Sequence, residues 1–247
     1  MWLNGNYSSG GTSAGIYFNM TGSTNADVSK YPPSNPDSYH TIQDVYIRAF
    51  TSGVNRHGIV LFCTSTAAQR GWMIDRVQLR EIGGHGIWVQ SSSDGFISNV
   101  HAGTVTGDGF KIDTANVKMA NSKAFYCDGW GLNWLSSYGV VSGFESQDNA
   151  KGVYVGQPNN TLTGIVVDDC RDEGLYIDHD RITATGFTIG KNGSRYATMA
   201  NGVRIGSGCA DTTAIGMVAN ATNRVVGTWG AGSYVRINGN GSLVAVG

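Results

Sequence analysis

The chain has 247 residues, of which 36 are Gly and only 14% are charged, with a formal net charge of -1. Glycine stands near twice its usual share of roughly 7%, and its cost inside helices disfavours a helix bundle or a coiled coil. Balanced charge without any Lys/Arg run excludes a protein held to nucleic acid by phosphate neutralisation, and no run of 18 apolar residues is present to span a membrane as a helix. With 40% apolar residues, including 6 Trp, 11 Tyr and 8 Phe, the chain can still fill a core, so an all-β chain with many turns is expected.

A unit of Gly, apolar, any residue, apolar recurs along the chain. It reads Gly15-Ile16-Tyr17-Phe18, Gly58-Ile59-Val60-Leu61, Gly86-Ile87-Trp88-Val89, Gly109-Phe110-Lys111-Ile112, Gly131-Leu132-Asn133-Trp134, Gly152-Val153-Tyr154-Val155, Gly174-Leu175-Tyr176-Ile177 and Gly202-Val203-Arg204-Ile205. Successive glycines are 43, 28, 23, 22, 21, 22 and 28 residues apart. A second unit runs in phase with it, from Ile42 to Ile47, Ile74 to Leu79, Ile97 to Ala102, Met119 to Ala124, Val141 to Ser146, Leu162 to Val167, Ala184 to Ile189 and Ala214 to Ala219. Its third position is Asp44, Arg76, Asn99, Asn121, Gly143, Gly164, Gly186 and Gly216, mostly residues that accept a left-handed conformation cheaply, so the chain is expected to bend there.

Both units alternate at strand period. Stacking such coils about 4.8 Å apart predicts a right-handed, single-stranded parallel β-helix with three parallel sheets, about 22 residues per coil and roughly eight to nine coils. The whole chain, 1–247, reads as one such domain, with regular coils over about 15–219 and a terminal coil or a capping or assembly segment over 220–247. A leucine-rich repeat is the rival, since Val141, Phe144, Ser146 and Asn149 fit its template, but the Gly-led strand replaces the convex helical segment that fold needs. Insertions at Asn19 to Tyr39, Arg48 to His57 and Gly190 to Asn201 mark chosen turns for loops, the usual carriers of specificity.

The register also constrains the cysteines. Cys127 and Cys170 lie two coils apart with Asn149 between them, about 9.6 Å by strand spacing and beyond disulfide reach, so they and Cys63 and Cys209 are expected to be free thiols. No Cys/His or Asp/Asn spacing resembles a metal site, and no cofactor is expected.

On the Gly-led strands the residue between the apolar pair points outward, giving a column of Val60, Trp88, Lys111, Asn133, Tyr154, Tyr176 and Arg204. Aromatic and amide groups in a row suit the flat faces and hydroxyls of a sugar chain, so Trp88, Lys111, Asn133, Tyr154, Tyr176 and Arg204 are the candidate glycan-binding residues; a cross-strand ladder that only stabilises the sheet is the alternative. The residues before the glycines form a second column that sets His85 beside Asp108 and Lys151 beside Glu173. The densest titratable segment, Asp168 to Arg181, offers Tyr176, Asp178, His179 and Glu173 as candidate catalytic groups for β-elimination or hydrolysis of an acidic polysaccharide. Glu173 and Asp178 sit at opposite ends of one strand, about 17 Å apart at ~3.3 Å per residue, which is wide for a glycosidase pair.

The 22-residue coil and the Asn99/Asn121 bends resemble the right-handed parallel β-helix superfamily of pectate lyases, polygalacturonases and the central domains of phage tailspikes, over roughly residues 15 to 219. Gly84-His85-Gly86 precedes Asp168-Asp169, and Arg204-Ile205 is followed by Gly206, so the polygalacturonase motif order is not kept. Tyr176, Asp178 and His179 resemble the Tyr/Asp/His segment of uronic-acid-polymer epimerases without its spacing. Neither catalytic set transfers. The absence of an obvious cap at either end turns the resemblance toward tailspikes. It implies a phage tail or tailspike-type module that binds, and as an enzyme cleaves, host cell-surface polysaccharide. Its partners would be that polysaccharide and either a homotrimer or neighbouring virion domains, and its place the virion or the extracellular space. A secreted polysaccharide lyase or glycoside hydrolase and a non-enzymatic structural virion component are the alternatives.

Overall fold

The computed structural model describes residues 2–4, 13–19, 41–50, 56–62, 71–190, 195, 196, 199–219, 221–239 and 242–246. Its strands are β1 (Trp2–Asn4), β2 (Ser13–Asn19), β3 (Thr41–Phe50), β4 (Arg56–Phe62), β5 (Met73–Ile82), β6 (Ile87–Gln90), β7 (Phe96–Ser98), β8 (His101–Val105), β9 (Phe110–Asp113), β10 (Lys118–Cys127) and β11 (Trp130–Trp134). They continue as β12 (Val140–Gln147), β13 (Lys151–Val155), β14 (Asn160–Thr163), β15 (Val166–Asp168), β16 (Glu173–Ile177), β17 (Ile182–Gly190), β18 (Met199–Ile205), β19 (Thr213–Val218), β20 (Ala221–Gly227), β21 (Tyr234–Gly239) and β22 (Ser242–Val246). No helix among the described residues is long and apolar enough to cross a membrane.

The Gly-led strands β2, β4, β6, β9, β11, β13, β16 and β18, followed by β20, line up in that order as one nine-stranded sheet. The second-unit strands form a thirteen-stranded sheet with β22 at its end. Pairing is parallel along both until β22, which meets β21 antiparallel. The solenoid makes about seven turns of about 22 residues, slightly fewer than the eight to nine expected.

Three faces are present, but two of them share one hydrogen-bonded sheet. The reason is visible in β10 and β12, which pair from Lys118↔Val140 through to Phe125↔Gln147, past the bend at Asn121 (φ 48°). One left-handed residue per coil turns the strand through a corner without ending its ladder. The expected bend column holds at Asp44, Arg76, Asn99, Asn121, Gly143, Gly164 and Gly186, all at positive φ. Gly216 is the exception. The β17–β19 register shifts between Thr185 and Phe187, so Gly216 lies opposite Phe187, and a Cβ on it would stand 2.2 Å from that ring. Its glycine makes room for a side chain and the bend is absent from that coil.

Two further corners, outside both repeat units, carry left-handed residues: Glu81, Thr104, Tyr126, Asp148 and Asp169 at one, and Asp94, Asn116, Tyr138, Asn159, Arg181 and Asp211 at the other. Asp and Asn adopt that conformation cheaply, whereas in Glu81, Thr104, Tyr126, Tyr138 and Arg181 it costs about 1–2 kcal/mol of backbone strain. Interchain-like bonds between coils offset it, such as Asn116 N–H to the Ser137 carbonyl at 2.7 Å and Asp148 N–H to the Asp168 carbonyl at 2.8 Å.

The repeat glycines have another cause. A Cβ on Gly58, Gly86, Gly152 or Gly174 would lie 2.6, 2.4, 2.0 or 2.6 Å from the carbonyl oxygen of the glycine one coil on. These positions are glycine because the stacked backbones pass too close for any side chain. Inward positions fill the core with Ile59, Ile87, Phe110, Leu132, Val153, Leu175 and Val203, all buried, and Phe110 meets Phe144 edge-on at 5.7 Å. Polar residues enter it too, hydrogen-bonded within it. Asn149, fully buried, accepts the Cys127 N–H (2.7 Å) and donates to the Ala124 carbonyl (3.1 Å) and Ser146 Oγ (2.8 Å), a rung between the coils of Cys127 and Cys170. Cys127, Cys170 and Cys209 are free and buried; Cys63 lies outside the described residues.

Candidate functional site

The outward column of the nine-stranded sheet is in register from coil to coil: Val60↔Trp88, Trp88↔Lys111, Lys111↔Asn133, Asn133↔Tyr154, Tyr154↔Tyr176 and Tyr176↔Arg204. Strand alternation causes this, because the flanking apolar residues point into the core and leave the middle residue outside. Val60 differs from the rest in being buried, along with all of β4 up to Leu61.

The face around this column, with the residues before the glycines, divides into two parts. In the first, Trp130 joins Tyr154 (ring centroids 5.3 Å) and Tyr154 joins Tyr176 (5.2 Å), a tilted aromatic run. Lys151 covers the Trp130 face at 5.2 Å, and Arg204 covers Tyr176 at 4.6 Å while donating to Glu173 at 3.2 Å. Lys151 is thus directed to an aromatic ring and Glu173 to Arg204, a different arrangement from the Lys151–Glu173 pair expected. Tyr154 hydroxyl donates to Asp178 Oδ2 at 3.0 Å. Burial, then that hydrogen bond, pushes the Tyr154 phenol up to about 12, and the same causes raise Tyr176.

The second part surrounds Trp88. His57 and His85 stack at 5.1 Å and 12°, and both rings lie against Trp88 at 5.0 and 5.7 Å. Lys111 Nζ stands 5.0 Å over the indole. A ladder of side-chain acceptors runs through this part: His85 N–H donates to His57 Nδ1 (2.9 Å), Asp108 N–H to His85 Nδ1 (3.0 Å) and Trp130 N–H to Asp108 Oδ1 (2.8 Å). Asp108 Oδ2 accepts from Asn133 Nδ2 at 2.9 Å and lies 3.6 Å from His85 Nδ1, so His85 and Asp108 are adjacent as the register requires. Each imidazole accepts at Nδ1 and therefore carries its hydrogen on Nε2. Burial, reinforced by the charges of His85 and Lys111, lowers His57 to about 4 and keeps it neutral.

The candidate catalytic residues are only partly brought together. Asp178 sits with Tyr154 and Tyr176, but His179 Nδ1 accepts the N–H of Asp180 (2.8 Å) and Glu173 is held by Arg204 at the far end of β16. Two phenols with raised pKa are poor bases at neutral pH. No group of three or more His, Cys, Asp or Glu side chains among the described residues is arranged to hold a metal ion.

With this geometry in place, residues 57–219 match the family described as the right handed beta helix region. The chain belongs to that right-handed beta helix family. Its fold is similar to full-length tailspike protein 2 from Escherichia coli O157:H7 bacteriophage CAB120, at 13% identity and a TM-score of 0.60, covering 92% of this chain and 34% of the tailspike. It is also similar to the periplasmic alginate epimerase AlgG (12%, TM-score 0.56, 77% of this chain and 48% of the epimerase). A third likeness is to the A-module of the Azotobacter vinelandii mannuronan C-5 epimerase AlgE6 (14%, TM-score 0.52, 78% and 72%). At these identities the likeness is one of fold, and the chain spans about a third of the tailspike's length and about half of AlgG's. No curated protein matches it in sequence.

Like other solenoids, this right-handed beta helix carries its individuality in insertions. The Asn19 to Tyr39 insertion lies almost wholly outside the described residues, as does the middle of the Arg48 to His57 one. From the third, Arg195 and Tyr196 fold back onto the corner column. Arg195 donates to the Asp148 carbonyl (2.7 Å) and to Asp128 Oδ1 (2.8 Å), its N–H donates to Asp169 Oδ2 (3.0 Å), and its guanidinium lies 5.6 Å from Tyr126. With Glu81, Thr104, Thr106 and Tyr126 it borders an open groove of about 390 Å³. Spacing marked the insertion but held no signal for where its Arg would land, 67 residues away from Asp128 in sequence.

Proposed function

We propose that this β-helix binds polysaccharide along the outer face of its nine-stranded sheet, as a phage tail or tailspike-type module that attaches to a host cell-surface glycan. It would work in a homotrimer or beside neighbouring virion domains, in the virion or outside the cell. The observation that carries the reading is the run Trp130, Tyr154 and Tyr176, flanked by Lys151 and Arg204, on the stacked strands β11, β13, β16 and β18. Rigid rings with polar edges give contact area to sugar rings at little entropic cost, and the cations add donors for hydroxyl or acidic groups. The fold it shares with a phage tailspike and with epimerases named for alginate and mannuronan supports the same reading.

Binding without cleavage is the form the side chains favour. Asp178 is engaged by Tyr154, Glu173 by Arg204 and His179 by the backbone N–H of Asp180, which leaves no free acid and base facing each other among these candidates. The test is retention of the chain on immobilised bacterial surface polysaccharides, followed for new reducing ends and for absorbance of an unsaturated product. Retention without cleavage is expected, weakened about tenfold by Trp130→Ala or Tyr176→Ala, a loss of ~1.4 kcal/mol. Failure of every polysaccharide to retain the folded chain refutes the proposal. Cleavage that disappears in Asp178→Ala and His179→Ala makes it an enzyme instead.

A further inference from the structure

We infer that the cluster around Trp88 is a subsite for a single carboxylate group, as carried by an acidic sugar residue; this rests on the glycan-binding reading above. Two side-chain donors here, on rings in contact at 5.0 Å, are buried without a hydrogen-bond partner: His57 Nε2 and Trp88 Nε1. His57 as a whole is only 3% exposed. A buried polar atom left unpaired costs about 1–3 kcal/mol, and two on touching rings form a set that one ligand group can satisfy.

Their chemistry selects the ligand. His57 accepts a backbone N–H at Nδ1, so its free Nε2 is a donor and is unavailable as a metal ligand. Trp88 Nε1 is a donor only, and Lys111, standing over the same indole, adds a positive charge. The neighbouring carboxylate, Asp108, accepts from Trp130 N–H and Asn133 Nδ2. Two neutral donors and an ammonium fit a carboxylate, whose oxygens can accept from all three. Lowering of the His57 pKa keeps that imidazole an uncharged donor through the neutral range.

The experiment is an NMR titration of the full chain, isotopically labelled, with sodium glucuronate as the probe and glucose as the uncharged control. The imidazole signals of His57 and the indole N–H of Trp88, the latter assigned by its loss in Trp88→Phe, are the readouts. Glucuronate is expected to shift both and glucose neither. Lys111→Met is expected to weaken glucuronate about tenfold or more, the loss of one charge-assisted contact, and Trp88→Phe tests the same site with ring packing kept. Absent shifts, equal shifts with glucose, or unchanged affinity in both variants overturn the inference. The two proposals separate cleanly. Retention on a polysaccharide with a silent glucuronate titration defeats the carboxylate subsite alone, whereas glucuronate shifts without retention on any polysaccharide defeat the glycan-face reading and leave the subsite standing.

Discussion

Replacing Gly152 by Ala probes the close approach that the glycine column permits. The added Cβ would lie 2.0 Å from the Gly174 carbonyl oxygen and 3.0 Å from Val167 Cγ1, so it is walled by the next coil on one side and by the core on the other. Relief requires the two coils to part by roughly an ångström. In equivalent layers that carbonyl accepts a ladder bond, as Gly86 does from Ile59 N–H at 2.9 Å and Gly109 from Ile87 N–H at 3.0 Å. Overpacking costs about 1–3 kcal/mol and a lost ladder bond about 0.5–1.5, while the stiffer unfolded chain returns about 0.5, for a net loss near 3 kcal/mol. Against a total stability of roughly 5–15 kcal/mol that is a large share. Urea denaturation at 25 °C, followed by tryptophan fluorescence, measures it. Gly190→Ala is the control, because Gly190 has ordinary φ and nothing within 4 Å of its Cβ position; it is expected to lie within about 0.5 kcal/mol of the parent. A Gly152→Ala loss below about 1 kcal/mol, or equal damage from both, would refute the close-approach account.

Two further outcomes follow from buried groups. Burial, then the bond to Asp169 and the charges of Asp169 and Asp168, raise the Asp148 carboxyl above its ordinary value near 3.8, against a lowering by Arg195. A raised folded pKa gives stability that is fully present below the unfolded pKa and is lost as pH rises through the folded value. Asp148→Asn, which tolerates the φ of 53° there, should raise Tm at pH 7 and do so progressively less as pH falls toward 4; a gain independent of pH would contradict it. Burial also raises the Cys127 and Cys170 thiols, so neither should react with iodoacetamide at pH 8 in the native chain, while both should in urea. Rapid native alkylation at either position, read by peptide mass spectrometry, is the contrary result.

The coil, its register and the outward column from Trp88 to Arg204 were legible in the residues alone. Two landmarks sharing one period of about 22 allow only one stacking, and alternation then decides which side chain faces out. The bends at Asn99, Asn121 and Gly143 were equally visible because those residues favour left-handed φ. Glu81, Thr104 and Tyr126 adopt it too, yet gave no sign, since bonds between coils impose it on residues that do not prefer it. Gly216 failed for the opposite reason, being glycine for the sake of the Phe187 ring.

What the sequence by itself determined is therefore a scaffold, a repeat whose local pattern is satisfied in one way. Only the tertiary structure decided the partners: Glu173 with Arg204 where Lys151 stood beside it in the column, Asp178 with Tyr154, Arg195 on a corner 67 residues back to Asp128, and the unpaired atoms of His57, Trp88 and Asn133. Register places side chains in columns to within one strand spacing. Which of two neighbours a long side chain then reaches depends on rotamers and on the loops packed over it, and those are properties of the folded surface.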